Sequence, residues 1–350
     1  MVTGSILAES IKAEAKRLGF FACGIAKAEP VDESTSHHFR QWLREGHQAG
    51  MSYMANHQDM RLDPRLLMEG TESIICVALN YAPAKRIPDD EYQIAAYAYG
   101  QDYHDIVKDK LHQLATFIAN QEETLAYLES GENGLTPSAF TYRAFSDSAP
   151  VLERYWAVKA GLGWIGKNRQ LIVPKAGSMF FLGELFVNIA LPYDKPQENR
   201  CGQCRRCLEA CPTGALSAND SASAFDANLC LSYQTIENRS TIPETIVRKM
   251  GNSIYGCDRC QQACPWNAFA HPTDEPALQP KDELLQMTKA KWQTITEDEY
   301  RRLFKGSAVK RAKYSGLMRN IKAVSESEQE GNNDQVREEP GKPERTVEQF

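Results

Sequence analysis

The chain of 350 residues has an apolar content of 42% and a formal net charge of −6, values that suit a globular protein of one large domain or two smaller ones. No basic segment followed by an apolar run opens the sequence, and no run of eighteen apolar residues occurs in it. These features argue against an exported or membrane-spanning protein, so we expect a soluble protein of the cytoplasm.

Helical and extended patterns alternate through the first two hundred residues, which predicts an α/β or α+β sandwich. Apolar periodicity predicts helices over residues 5–19, 37–45, 104–128, 151–160, 297–304 and 307–323. Apolar runs predict strands over residues 20–26, 73–81, 139–145, 171–174 and 179–191. We divide the chain into an α/β core (1–195), a cysteine-rich module (196–275), a helical basic segment (276–323) and a tail (324–350).

The charge is unevenly distributed near the carboxyl end. Residues 324–350 carry eight acids, three bases and few apolar side chains, which predicts a disordered acidic tail. Just before it, residues 301–323 hold eight bases and no acid. This basic stripe could be only a solvated helix face, but an all-positive run favours contact with a phosphate backbone. Its bases are Arg301, Arg302, Lys305, Lys310, Arg311, Lys313, Arg319 and Lys322.

The glycine-rich segment 161–168 (GLGWIGKN) satisfies the dinucleotide pattern G-x-G-x-x-G and nearly satisfies the P-loop pattern. Both patterns require a strand before the glycines and a helix after them. The predicted order here is the reverse, and Asn168 replaces the hydroxyl that would hold Mg²⁺. The sequence therefore argues against a nucleotide site, although Lys167 and Asn168 provide polar groups at this point.

Two cysteine runs dominate the second half of the chain. Residues 201–212 follow the bacterial ferredoxin pattern C-x2-C-x2-C-x3-C-P without a mismatch, whereas residues 257–265 lack its first cysteine, which Ile254 replaces. Cys230, the only cysteine between the runs, completes eight ligands for two [4Fe-4S] clusters in a ferredoxin-like module. We assign Cys201, Cys204, Cys207 and Cys264 to one cluster, and Cys211, Cys230, Cys257 and Cys260 to the other.

Other uses of these cysteines explain the pattern less well. A disulfide framework is typical of short secreted chains. Zinc sites use separated C-x2-C pairs, and one tetrahedral ion does not account for an uninterrupted four-cysteine run. The C-x3-C-x2-C run of radical enzymes is absent, because Gly214 and Asn267 stand where its last cysteine would be. Cys23 and Cys76 lie in predicted strands and are interpreted as core residues.

Besides the first cysteine run, several segments in order resemble the epoxyqueuosine reductases. The similarity extends from near the amino terminus to about residue 320. The segments are 147–154 (DSAPVLER), 160–168 (AGLGWIGKN), 177–184 (GSMFFLGE), 230–237 (CLSYQTIE) and 255–265 (YGCDRCQQACP).

The resemblance implies an oxidoreductase that uses cobalamin and two [4Fe-4S] clusters. Such an enzyme converts epoxyqueuosine to queuosine at the wobble position of the tRNA anticodon. Its expected fold is a cobalamin-binding α/β core related to reductive dehalogenases, joined to the cluster module and the C-terminal helical segment. We also expect an electron donor such as a flavodoxin or ferredoxin, and a monomeric state.

Asp147 is the candidate catalytic acid, because it lies in the segment that matches the family's proton-donor motif. Opening an epoxide and discarding its oxygen takes two electrons and two protons, and a nearby carboxylic acid can protonate the leaving oxygen. The structural alternative is a helix N-cap, since Asp147 or Ser148 stands just ahead of Pro150 and a helical stretch.

The corrin pocket is less sharply defined by the sequence. Residues 102–104 (DYH) resemble the opening of a D-x-H-x-x-G corrinoid motif, but Val107 replaces its glycine. The resemblance therefore implies base-off cobalamin without a histidine ligand. The residues expected to contact cobalamin, each with a purely structural alternative, are Tyr103, His104, Asp147, Lys167, Asn168, Ser178, Ser232 and Tyr233.

Some relatives carry a C-terminal helical-repeat domain that holds tRNA, and this chain has the basic stripe in its place. Two other functions stay open at this point. One is a cobalamin and iron–sulfur reductase of a small molecule, and the other is a ferredoxin-type electron-transfer protein. The first predicts no tRNA affinity, and the second predicts no bound corrin.

Overall fold

The computed structural model describes residues 2–122, 124, 126, 139–217 and 224–337. The strands are β1 (Ala22–Lys27), β2 (Ser73–Asn80), β3 (Gln93–Ile94), β4 (Tyr142–Phe145), β5 (Trp164–Ile165), β6 (Leu171–Ile172), β7 (Phe180–Val187) and β8 (Ser253–Tyr255). The first helices are α1 (Val2–Arg17), α2 (Glu33–Arg44), α3 (Gln58–Leu62), α4 (Tyr103–Ala119), α5 (Glu153–Lys159) and α6 (Arg206–Glu209). The later ones are α7 (Leu231–Ile236), α8 (Glu244–Val247), α9 (Arg259–Gln262), α10 (Asp282–Leu285), α11 (Lys289–Thr294), α12 (Glu297–Leu303) and α13 (Lys313–Arg337).

A four-stranded antiparallel sheet in the order β1-β2-β7-β4 forms the centre of the molecule. Because side chains alternate along a strand, β7 contributes to two separate cores. Leu185 and Val187 pack in a large core with α1 and α4. Leu182 and Phe186 belong to a smaller core on the opposite face, which is covered by α5. The predicted α/β framework is confirmed, with helices on both faces of the sheet.

The cysteine-rich module and the C-terminal helices share the large core with the sheet. Strand β3 pairs in parallel with β8, which lies just before the second cysteine run. Ile254, Trp292 and Leu317, from three different parts of the second half of the chain, are fully buried in the same cluster of side chains. Side chains of the sheet, the cysteine-rich module and the C-terminal helices therefore pack in one core, and the domain boundaries stay a prediction.

The C-terminal helix is longer than the sequence indicated. We expected disorder from residue 324, but α13 continues to Arg337, and residues 338–350 lie outside the described part. Val324 is 1% exposed, and Glu328 forms an ion pair of 2.5 Å with Lys289. These contacts offset the poor apolar content of the segment. Within the basic stripe, a 3-10 turn at Ala308–Ala312 leads directly into α13.

Within the described residues, none of the helices has both the length and the apolar character needed to cross a bilayer. The predicted helix over 104–128 is observed as α4, which ends at Ala119, and residues 123, 125, 127 and 128 lie outside the described ranges.

Asn320 on α13 forms hydrogen bonds with the cysteine-rich module. These bonds give the first prediction. Its buried amide donates to the carbonyls of Thr235 and Ile254, at 2.8 Å each. Asn320→Ala should lower the free energy of unfolding by about 2–4 kcal/mol, because two buried carbonyls lose their partner. Urea denaturation of the cluster-loaded protein under argon measures this. The exposed Lys322→Ala on the same helix is the control, and an equal effect of both substitutions would contradict the role of Asn320.

Candidate active site and cluster-binding cysteines

The first predicted set of cysteines surrounds a cavity of about 90 Å³. A space of this size would hold several water molecules, whereas a tetrahedral zinc ion draws its four sulfurs to about 2.3 Å and leaves no such gap. The cavity therefore suits a cluster better than a single ion. Its lining residues are Cys201, Cys204, Cys207 and Cys264 with Lys167, Asn168, Ile172, Arg200, Pro265 and Trp266.

The second predicted set also comes together. Burial raises the pKa of the Cys257 thiol to about 11, and the neighbouring Cys230 contributes. Burial likewise raises the pKa of Cys260, with Cys257, Cys230 and Cys211 all close enough to repel its thiolate. Cys230 precedes α7, and the backbone N–H groups of Ser232 and Tyr233 face its sulfur. The fold thus brings Cys230 close to Cys257 and Cys260, and its role as the fourth ligand stays a prediction.

All ten cysteines are free thiols, so no disulfide framework exists. Cys23 and Cys76 lie in β1 and β2, away from both sets, as their interpretation as core residues requires. The described residues contain no group of three or more His, Cys, Asp or Glu side chains arranged around a single metal ion.

Asp147 lies in the loop between β4 and α5 with a φ of 51°, a left-handed conformation that is uncommon outside glycine. The N-cap of α5 is Leu152, without a side-chain hydrogen bond, so the N-cap alternative for Asp147 is wrong. Its backbone N–H donates to the Glu153 carboxylate, and its own side chain is 63% exposed. Strained backbone that presents an exposed acid is typical of functional sites.

Tyr103 and His104 accompany Asp147, as predicted. The Tyr103 hydroxyl donates to Asp147 Oδ2 at 2.5 Å, and His104 Nε2 lies 3.8 Å from the same oxygen. The Tyr103 ring stacks on Phe181 at 4.0 Å between centroids. Asp102 caps α4 and contacts His104 Nδ1 at 2.6 Å. This hydrogen bond raises the pKa of His104, with burial opposing the shift, and the ring faces the acid.

The apparent corrinoid motif at residues 102–107 is therefore the capped start of a helix. Val107 is fully buried against the sheet, where a β-carbon on Gly183 would approach Val107 Cγ1 to 2.6 Å. Close packing between α4 and β7 explains why a bulky residue at position 107 is paired with a glycine in the strand.

The other predicted pocket residues lie at the junction with the cysteine-rich module. Lys167 Nζ donates to the carbonyls of Gly202 at 2.7 Å and Cys204 at 3.0 Å, and Asn168 lines the same cysteine cavity. Ser178 is buried and accepts from the Asn267 amide at 3.1 Å. The Tyr233 hydroxyl accepts from the backbone N–H of Gly50 at 2.8 Å. The contact of these residues with cobalamin stays a prediction.

Two carboxylates near Asp147 were missed by the sequence reasoning. Glu153, at the start of α5, has its pKa raised to about 8 by burial and by the charge of Asp147. Glu184, in β7, is fully buried. Its pKa lies well above the usual range because of burial, with Glu153 and Asp147 adding to the shift. The available signal was a single acid in the apolar strand sequence FFLGELFV.

Part of the basic stripe lies close to this site. The Arg311 guanidinium lies 5.8 Å from the centre of the Tyr53 ring and forms an ion pair of 2.7 Å with Glu237. Tyr53 is also within electrostatic reach of Asp147. Arg311 and Asp147 therefore both lie near Tyr53, and the exposed surface around these three residues is called the cleft below.

Two family models match parts of this chain. The family model described as "4Fe-4S double cluster binding domain" matches residues 200–267, and "Epoxyqueuosine reductase QueG, DUF1730" matches residues 61–148. The epoxyqueuosine reductase of Cellulophaga algicola is 46% identical over 89% of this chain and 95% of its own length. The chain belongs to the epoxyqueuosine reductase family. It is therefore an oxidoreductase with a double iron–sulfur cluster domain, and the electron-carrier alternative is wrong.

Other members of the epoxyqueuosine reductase family are also similar to this chain over most of its length. The Aliivibrio fischeri enzyme is 39% identical over 90% of this chain and 81% of its own length. A crystal structure of an epoxyqueuosine reductase with an epoxyqueuosine-modified stem–loop of tyrosine tRNA superposes with a TM-score of 0.78 at 26% identity. The match covers 91% of this chain and 80% of that one.

The assignment of Cys230 gives the second prediction. Cys230→Ser should leave about four irons per chain instead of about eight after anaerobic reconstitution, because only the second cluster loses a thiolate. Iron and sulfide analysis with electron paramagnetic resonance measures this. Cys23→Ser is the matched control and should retain both clusters. Full iron content in Cys230→Ser would show that another group completes the second cluster.

Proposed function

We propose that this chain reduces epoxyqueuosine to queuosine in the anticodon loop of tRNA. The observation that carries the proposal is that the exposed acid Asp147, held in left-handed backbone, lies beside His104 and close to the basic stripe. Cys257 of the second cysteine set packs against the large core, whereas Cys201 and Cys264 of the first set pack with Trp164 and Ile172 in a small cluster of their own. Family membership supplies the substrate, because the related structure described above holds an epoxyqueuosine-modified stem–loop.

The described residues fit base-off cobalamin in two respects. Both ring nitrogens of His104 face carboxylates, so this histidine is not available as a cobalt ligand. The side-chain amide of Asn168 is buried and its Nδ2 has no hydrogen-bond partner among the described residues, which leaves a donor for an amide-rich cofactor. When bound, cobalamin would supply a cobalt centre that collects single electrons from the clusters for the two-electron reduction. Tyr103, His104 and Asn168 are the residues we expect to hold it.

Asp147 would supply the proton in this reaction. Its carboxyl group is exposed to the cleft and oriented by the Tyr103 hydroxyl, so it can donate to the oxygen that leaves the epoxide carbon. The His104 ring, whose pKa the Asp102 hydrogen bond raises, would then stabilise the carboxylate that remains when it is protonated. The structure of the Bacillus subtilis epoxyqueuosine reductase, which superposes with a TM-score of 0.79 at 26% identity, has the catalytic loop of an aspartate swung out of the active site.

We expect electrons to enter through the first cysteine set. Its loop is bordered by the exposed side chains of Arg200, Arg205 and Arg206. A basic rim of this kind attracts acidic one-electron carriers, which supports a flavodoxin or ferredoxin as the donor. The second set would then pass electrons toward the cleft, because Cys257 packs against the large core beneath it.

The acid role of Asp147 gives the third prediction. Asp147→Asn should lower kcat at least about 100-fold, because the amide cannot protonate the leaving oxygen, while tRNA affinity stays near the parental value. Anaerobic turnover of epoxyqueuosine-tRNA by enzyme with full clusters and cobalamin measures this. Asp105→Asn, an exposed acid on α4, is the control. Parental turnover by Asp147→Asn would refute the proposal for this residue.

The basic stripe contains two kinds of base. Arg301, Arg302 and Lys322 pair with Glu297, Glu283 and Glu326, and Arg319 donates to the carbonyls of Gln234, Asn238 and Ser240. Much of the expected charge is therefore neutralised or used within the fold. Lys310 and Lys313 have no ion-pair partner among the described residues. Lys310 also acts on Asp102 electrostatically and so lies near the cleft.

These differences within the stripe give the fourth prediction. Neutralising Lys310 and Lys313 together should reduce the slope of log affinity against log salt by about 1.5, because two phosphate contacts are lost. Filter binding of a tRNA stem–loop over a range of salt concentrations measures the slope. Neutralising Arg301 and Arg302, which are already paired, is the matched control. A larger effect in the control would place the RNA on the outer end of the stripe.

A further inference from the structure

Arg61 is a buried arginine without a bound counter-charge. It lies in α3, is 7% exposed, and its Nε has no hydrogen-bond partner in the part of the chain that the structure describes. Asp63, two residues away, is held instead by Arg65 at 2.9 and 2.7 Å, and Glu153 acts on Arg61 only electrostatically. The Phe39 ring, 5.9 Å from the guanidinium carbon, offers a weak cation–π contact. Because an arginine keeps its charge, this guanidinium lacks an anion.

An exposed aromatic ring lies close to this arginine. Tyr53 is 44% exposed and belongs to the 3-10 turn Ser52–Met54, which is followed by α3. The backbone N–H of Asn56 donates to the Tyr53 carbonyl at 3.3 Å, and that of Arg61 donates to the His57 carbonyl at 3.0 Å. Two tight turns therefore join the ring to the guanidinium, and Tyr53 acts on Arg61 electrostatically.

The segment that carries both residues is fixed at its two ends. Three hydrogen bonds of 2.8 to 3.0 Å join residues 46–50 to residues 227–233 of the cysteine-rich module. At the other end, the backbone N–H of Val31 donates to the carbonyl of the buried Leu62 at 2.8 Å. A ligand that binds to this segment therefore loses little affinity to the ordering of the chain.

The chemistry of the two side chains matches a nucleotide of single-stranded RNA. Proteins bind such strands by stacking unpaired bases on aromatic rings and by pairing arginines with phosphates. Tyr53 belongs to the cleft, with Arg311 of the basic stripe 5.8 Å from the centre of its ring and Asp147 within electrostatic reach. The exposed ring suits a base, and the buried guanidinium suits the phosphate of the same strand.

We propose that Tyr53 and Arg61 form a nucleotide subsite for the anticodon loop. An unpaired base next to the modified nucleotide stacks on Tyr53, and a phosphodiester of that strand binds to Arg61. This inference rests on the proposed action on tRNA, in which the modified nucleotide itself lies at Asp147. The nucleotide tail of base-off cobalamin has the same chemistry, a base and a phosphodiester. RNA is favoured because the exposed ring lies beside Arg311 of the basic stripe.

Binding of a tRNA stem–loop over a range of salt concentrations separates stacking from charge. Tyr53→Ala should weaken the affinity about tenfold at every salt concentration, whereas Tyr53→Phe should keep the parental value. Arg61→Gln should reduce the slope of log affinity against log salt by about 0.7, because one phosphate contact to a single strand is lost. All variants are prepared as cluster-loaded enzyme.

Two matched controls should bind the stem–loop like the parent. Phe21→Ala removes an aromatic side chain that is 51% exposed, and Arg65→Gln removes an arginine that is already paired with Asp63. Equal losses of affinity in Tyr53→Ala and Phe21→Ala would contradict a specific stacking site. A parental slope in a folded Arg61→Gln would contradict the phosphate contact.

Arg61→Lys covers the case in which Arg61→Gln does not fold. Lysine keeps the charge but lacks the forked pair of donors, so the affinity should fall while the slope stays parental. Parental affinity in Arg61→Lys would overturn the phosphate contact.

A fluorescent base tests the stacking directly. 2-Aminopurine replaces, one at a time, the nucleotides that flank the modified position of the stem–loop. At one of these positions the parent and Tyr53→Phe should quench the fluorescence, and Tyr53→Ala should not. Quenching that is absent from the parent, or equal in all three proteins at every position, would overturn the subsite.

Titration with cobalamin and with cobinamide, which lacks the nucleotide tail, identifies the source of the nucleotide. Tyr53→Ala and Arg61→Gln should bind both corrinoids like the parent. Selective loss of cobalamin affinity with unchanged RNA binding would overturn the assignment to RNA in favour of the tail. Absence of epoxyqueuosine-tRNA turnover by the parent would refute the proposed function, whereas variants that bind RNA like an active parent would overturn the subsite alone.

Discussion

The pairing of β7 between β2 and β4 is the constraint on which the site depends. The strand starts two residues after Ser178, which hydrogen-bonds to Asn267 in the cysteine-rich module. Its middle places Glu184 under α5, and its partner β4 ends where the Asp147 loop begins. A register shift of one residue would move Glu184 to the other face of the sheet and change every one of these relations.

The elements and the grouping of the cysteines could be predicted because they depend on local patterns. Apolar periodicity located most helices and strands, and the cysteine count pointed to Cys230, which the fold places near Cys257 and Cys260. The contacts of Lys167 and Asn168 depend on which segments meet in three dimensions. Apolar periodicity along the sequence does not contain that information. Glu184 was overlooked because an acid inside an apolar strand is normally assigned to the solvent side. Only the fold shows that both faces of β7 are covered.

The number of charges counted in the sequence was a poor guide to the charge that the folded surface presents. The basic stripe was counted as eight free positive charges, yet several of its members neutralise acids from distant segments such as Glu283 or satisfy backbone carbonyls. The same holds for the acidic tail, where Glu328 stabilises a helix by pairing with Lys289. A linear count of charges takes no account of partners that only the tertiary structure supplies.

The raised pKa values of the Cys257 and Cys260 thiols have a consequence for how the protein matures. Thiols that are held protonated by burial must release those protons before iron can bind, so assembly of the second cluster is linked to the pH of the compartment. Once formed, the cluster adds its binding free energy to the core shared with α13. The iron supply of the cell would thereby set how firmly helix α13 is held against the rest of the protein.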